Sequence, residues 1–104
     1  MDLRVYRNED VEEIIAAIPV NHYHVRFLIK FRDQTILLQE ATVAALLRAY
    51  AYTALHPFRK GIILRRKALG KKEKKPGYAT HQLIEVADSE DEAVKIITDI
   101  IGEK

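Results

Sequence analysis

From His22 to Arg32 the chain alternates with a period of two. Tyr23, Val25, Phe27, Ile29 and Phe31 point one way, and His22, His24, Arg26, Lys30 and Arg32 the other, with Leu28 as the single misfit. That is the period of a β-strand with one buried face and one wet face, here a basic one. Asp33-Gln34 then predicts a tight turn and Thr35 to Gln39 a returning strand, so the centre of the fold is a hairpin.

The flanking segments are read from the same signals. Leu3 to Arg7 predicts a short strand. Residues 10–18 predict a helix, with Asp10 as cap, Glu13 three residues on, and Val11, Ile14, Ile15 and Ile18 spaced i, i+3, i+4, i+7 before Pro19. Residues 40–55 predict a second helix, apolar nearly all round. Val43, Leu46, Leu47 and Tyr50 form one face, Ala41, Ala45, Ala49 and Tyr52 another, and Arg48 is its one central charge. His56-Pro57 breaks it. Strands follow at about 61–69 and 78–87, joined by a lysine-rich loop between Gly70 and Gly77. A last helix is capped by Ser89 with Glu92 at the capping-box position. Its stripe is Ala93, Val94, Ile96, Ile97, Ile100 and Ile101, and Gly102 ends it.

The order α-ββ-α-ββ-α points to a single compact α+β domain over residues 1–104. The expected core is a mostly antiparallel sheet of four or five strands with helices on one face. With 104 residues, 48% of them apolar, the chain is long enough to bury a core. No apolar stretch approaches the ~20 residues of a membrane span, and the N-terminus lacks the pattern of a signal peptide. There is no cysteine, which excludes disulfides, thiol catalysis and cysteine-ligated zinc. A cytosolic protein is the expectation, and the low amide content with abundant Glu, Lys and Arg suits a heat-tolerant source.

Charge is distributed unevenly. Between Pro57 and Tyr78 nine bases (Arg59, Lys60, Arg65, Arg66, Lys67, Lys71, Lys72, Lys74 and Lys75) stand against one acid, Glu73, a net +8. The remainder holds eight bases and fourteen acids, a net −6. A basic hairpin of this kind can contact phosphates, and aromatic neighbours, here Tyr78 and His81, can stack on bases. His24, Arg26, Lys30 and Arg32 would extend that surface if the strands lie side by side. Lysines can also serve only to keep a sheet edge soluble, a role that suits Lys71 to Lys75 better than Arg65, Arg66 and Lys67, which sit consecutively in a strand.

Other chemistries find less support. His22 and His24 share a strand face at a spacing open to metal ligands, with His56 or His81 to complete a set, but Arg26 and Lys30 on the same face disfavour a cation. The four glycines are dispersed, so no phosphate-cradling loop occurs. The one serine is a helix cap, and the acids gather at helix N-termini where the helix dipole accounts for them. Glu85 and His81 share a face roughly 13 Å apart along the strand, too far for a dyad. The expectation is therefore a non-enzymatic protein with no catalytic residue, cofactor or metal, and no membrane partner. It binds RNA, more than DNA, or another polyanion. The competing expectation is a protein-interaction module, such as a homodimer through helix 40–55, whose small residues Ala41, Ala45 and Ala49 permit close approach.

Overall fold

The computed structural model of the protein describes residues 3–68 and 81–102 and is α+β. The chain divides into two compact units, Met1–Val43 and Ala44–Lys104.

The first unit is a three-stranded antiparallel meander of β1 (Val11–Ala17), β2 (Arg26–Phe31) and β3 (Thr35–Gln39), in the order β1-β2-β3. The hairpin between β2 and β3 forms as expected, closed by Phe31 N–H donating to Gln34 O at 2.8 Å. Residues 11–17, expected as helix, are strand instead. Val11, Ile14 and Ile15 are β-branched and stiff at χ1, and an isolated turn or two of helix ahead of Pro19 is marginal. The ladder with β2 offers those backbone groups better partners, so tertiary pairing wins over a helical spacing that fits the same apolar run. Asp10 caps backwards rather than forwards. It accepts the Arg7 N–H at 2.9 Å and holds Arg32 at 2.6 Å, while Glu13 reaches Lys30 at 3.1 Å.

Leu3 to Arg7 lies outside the ladder and is held by side chains. Tyr6 stacks on Phe31 at 3.9 Å and donates its hydroxyl to Asp33, which also pairs with Arg4. His22 to His24 precede β2 rather than belonging to it. They follow a turn in which Asn21 takes a positive φ of 65°, a conformation asparagine tolerates. Tyr23, expected on the buried side, is consequently exposed.

Register assigns the faces. Ile14, Ala16, Phe27, Ile29, Ile36 and Leu38 share one entirely apolar face. On the other, Ile15, Leu28 and Leu37 form a row across the sheet, which is why Leu28 breaks the polar pattern of β2.

In the second unit, α1 (Glu40–Tyr50), which begins in the first, is followed by a π-helical turn at Ala51–Leu55. Thr53 donates its hydroxyl to the Ala49 carbonyl at 2.8 Å within that turn, a back-bond that competes with regular helical pairing. β4 (Leu64–Ala68) and β5 (His81–Glu85) pair antiparallel as a separate two-stranded ribbon, so the described strands form two sheets rather than one of four or five. α2 spans Glu90–Gly102. Among the described residues only Ala45 (3% exposed) and Ala93 (8%) are buried apolar side chains. The stripe of α2 is therefore less covered than its spacing implies, with Ile97 55% exposed. No described helix is long and apolar enough to cross a membrane.

Ser89 is buried, at 4% exposure, but its hydroxyl does not cap α2. It accepts the Ile63 N–H at 3.0 Å, while the Ser89 carbonyl takes the first helical bond from Ala93 at 2.9 Å. Ser89→Ala leaves the half-buried Ile63 N–H unpaired and is expected to cost about 1–3 kcal/mol. An unchanged urea midpoint would show that water replaces the hydroxyl.

Glu40 ties the start of α1 to the segment before β2, accepting Val25 N–H at 2.8 Å and meeting His24 Nδ1 at 3.3 Å. These bonds, that from Val25 foremost, hold its carboxyl below the usual carboxylate range; the Arg7 N–H and then Arg32 do the same for Asp10. A lowered folded-state value means that the contacts stabilise fully above the ordinary carboxylate range, and that this contribution is lost as pH falls through it towards the lowered value. Melting temperature is thus expected to fall between about pH 6 and about pH 3, and to fall less in Glu40→Gln. Equal falls in the variant and the parent would remove Glu40 from the account.

Candidate nucleic-acid interface

The β4–β5 ribbon pairs Leu64 with Glu85, Arg65 with Ile84, Arg66 with Leu83, Lys67 with Gln82 and Ala68 with His81. Because side chains alternate and cross-strand partners share a face, Arg65 and Lys67 lie on one face with Ile84 and Gln82. Arg66 lies on the other with Leu83 and His81. Three consecutive cations in a strand thus charge both faces, and all three are exposed. No ion pair or hydrogen bond engages the guanidinium of Arg65 or Arg66 among the described residues.

The remaining site candidates divide sharply. Arg59 is half-exposed and has two partners within its unit: its guanidinium lies 4.9 Å from the centre of the Tyr52 ring and 3.6 Å from Glu85. Its carboxylate partner, Glu85, is the one acid on the described strands of the ribbon. Lys60 gives its backbone N–H to Glu90 at 3.1 Å and keeps its side chain exposed. His81 is exposed, and the small Ala68 opposite leaves its ring open to stacking. Lys71, Lys72, Lys74, Lys75 and Tyr78 lie outside the described residues.

What positions the ribbon is a set of bonds to its base. Arg48 donates to the Leu83 carbonyl at 2.8 Å, and Val86 N–H donates to the Ile63 carbonyl at 2.9 Å. Sequence reasoning missed the Arg59–Tyr52 stack. Its signal was present, since Tyr52 and Arg59 flank the His56-Pro57 break that folds one back towards the other.

The side-by-side pairing that would extend the surface over β2 does not form. β2 pairs with β1 and β3, not with the ribbon, and its cations are occupied. Lys30 reaches Glu13 at 3.1 Å, Arg32 reaches Asp10 at 2.6 Å, Arg26 donates to the His24 carbonyl at 3.3 Å, and His24 meets Glu40. Acids on neighbouring segments neutralise a face that the strand alone leaves positive. His22 and His24 do not converge either: His22 Nδ1 meets the Val20 carbonyl at 3.0 Å. No group of three or more metal-ligating side chains occurs among the described residues.

The chain matches no family model, no curated protein and no solved structure. Function therefore rests on the site itself.

Proposed function

We propose that this protein is a non-enzymatic nucleic-acid-binding module that engages single-stranded or structured RNA, in preference to DNA, through the β4–β5 ribbon. The carrying observation is the pair Arg65 and Arg66, exposed on opposite faces of one strand, with Glu85, the one acid on the ribbon's described strands, 3.6 Å from Arg59. Guanidinium forks held on a strand are suited to phosphate oxygens, and they cost less ordering than side chains on a long loop. Lys60 and Lys67 add charge on the same elements, and Lys71, Lys72, Lys74 and Lys75 belong to the connecting segment in the sequence. His81 supplies a stacking surface and Tyr78 a second; stacking on unpaired bases is what favours RNA over duplex DNA in this reading. Arg59, already paired, serves to hold the ribbon rather than to contact phosphate.

Fluorescence anisotropy with short RNA and DNA oligonucleotides at low salt tests the proposal. Binding to RNA is expected, weakened in Arg65→Ser/Arg66→Ser with no loss of far-UV circular dichroism. Absence of binding to any nucleic acid, or undiminished binding by that variant, would sink it.

A further inference from the structure

We propose that β1 is a self-pairing edge, joining two copies of this chain into one six-stranded sheet. β1 stands at the end of the order β1-β2-β3, so its outer backbone groups face no strand among the described residues. Folded proteins guard such edges with charged side chains, lysine above all, with proline, or with a bulge, and the one charge in the regular stretch here, Glu13, stands at its end. Here the register with β2 is irregular only between Val11 and Glu13, and from Glu13 to Ala17 it runs without a break. That stretch reads Glu-Ile-Ile-Ala-Ala, with no cation and no proline. Ile14 and Ile15 project to opposite faces and are 64% and 44% exposed.

The charge pattern selects the occupant. The regular stretch is centred on Ile15. Antiparallel pairing about a two-fold axis there sets Ile15 opposite its own counterpart, Ile14 opposite Ala16 and Glu13 opposite Ala17. Large side chains then meet small ones. The two Glu13 carboxylates lie four residues apart, roughly 13 Å along the strand. That exceeds the ~8 Å screening length at physiological salt. Each is also paired with Lys30 at 3.1 Å. Parallel pairing would instead bring the same carboxylates to about 4.8 Å, one strand spacing. The strand is thus complementary to itself in one orientation, which is the requirement of an isologous two-fold contact.

The axis stands perpendicular to the sheet, so each copy keeps its faces. The apolar face of Ile14, Ala16, Phe27, Ile29, Ile36 and Leu38 continues across the junction into its counterpart. Five residues of edge contact bury less than the roughly 800 Å² per partner of a standard interface. Association is therefore expected to be concentration-dependent.

The chain has no cysteine, so single cysteines report directly on this register. The full chain would carry cysteine at 13, 14, 15, 16 or 17 in turn, with mild oxidation followed on non-reducing gels. Ile15→Cys is expected to cross-link at least about tenfold faster than Glu13→Cys or Ala17→Cys, because a directly opposed pair has Cβ atoms about 4.5–5.5 Å apart, near disulfide reach. Sedimentation velocity should show the parent passing from monomer to dimer with concentration, and Ile15→Lys remaining a monomer with unchanged circular dichroism. Ile15→Ser replaces the lysine variant if that one fails to fold. A parent monomeric at every concentration, uniform cross-linking, a maximum away from residue 15, or a dimer that survives both substitutions would each overturn the proposal.

Discussion

Alanine at Gly61 is expected to cost about 2 kcal/mol of folding free energy, although it adds one methyl group. A Cβ there would meet Ala93 Cβ and the Glu90 carbonyl oxygen, each at 3.0 Å, and Val94 Cγ2 at 3.4 Å. Two of these cannot rotate away, being a backbone oxygen and a Cβ on the same helix. The 60–63 segment is equally constrained. Lys60 N–H is bonded to Glu90 and Ile63 N–H to Ser89, so moving Gly61 off α2 stretches a bond on either side of it. Loss of glycine's freedom in the unfolded chain works in the opposite direction, by about 0.4–1 kcal/mol, and does not offset the overlap. For a chain of this size the melting temperature should drop by roughly 10 °C. Gly102→Ala is the control, since nothing lies within 4 Å of its added methyl, and it should leave the melting temperature level or slightly higher. A Gly61→Ala variant that melts with the parent would mean that the 60–63 segment does not lie against the start of α2.

The junction around Gly61 shows what sequence periodicity can and cannot reveal. Ser89 was legible as the residue that begins α2, because a lone serine ahead of Glu-Asp-Glu and an isoleucine stripe has few other readings. Its hydroxyl nonetheless goes to Ile63, 26 residues away, and no local rule carries that information. The same limit explains β1. Val11, Ile14, Ile15 and Ile18 satisfy a helical spacing, and only the long-range ladder with β2 overrides it. The β2–β3 hairpin, by contrast, was legible because strict alternation ending at Asp33-Gln34 excludes a helix. The ribbon's two strands, expected at about 61–69 and 78–87, pair over Leu64–Ala68 and His81–Glu85. The partition of its cations was not legible: Arg59 and Arg65 look alike in sequence, and Tyr52 and Glu85 separate them in the fold. The basic face of β2 failed for the matching reason, because the acids that neutralise it, Asp10 and Glu13, stand at positions that were read as a helix start.

RNA affinity is expected to fall steeply with salt, by roughly 10²- to 10³-fold between about 50 mM and about 200 mM, if four to six of the segment's cations reach phosphates. Each neutralised phosphate releases condensed counterions, so the log–log slope counts contacts and should be roughly −3 to −5. The structure separates the cations by their expected share. Arg65→Ser and Arg66→Ser should each flatten the slope by about one unit, as side chains that leave a strand already aimed outward. Lys71, Lys72, Lys74 and Lys75, replaced together by serine, should flatten it by about one unit per true contact while leaving the melting temperature nearly unchanged. Arg59→Ser should do the reverse. It removes the stack on Tyr52 and the pair with Glu85, so stability drops, while the freed Glu85 weakens binding only through local repulsion. Tyr78→Ala should lose roughly 1–3 kcal/mol of affinity with the slope intact, because stacking releases no counterions. A slope near zero would mean that binding does not run through phosphates. Equal slopes in Arg59→Ser and Arg65→Ser, each one unit flatter than the parent, would place Arg59 at the phosphates and undo its assignment as the ribbon's internal strut.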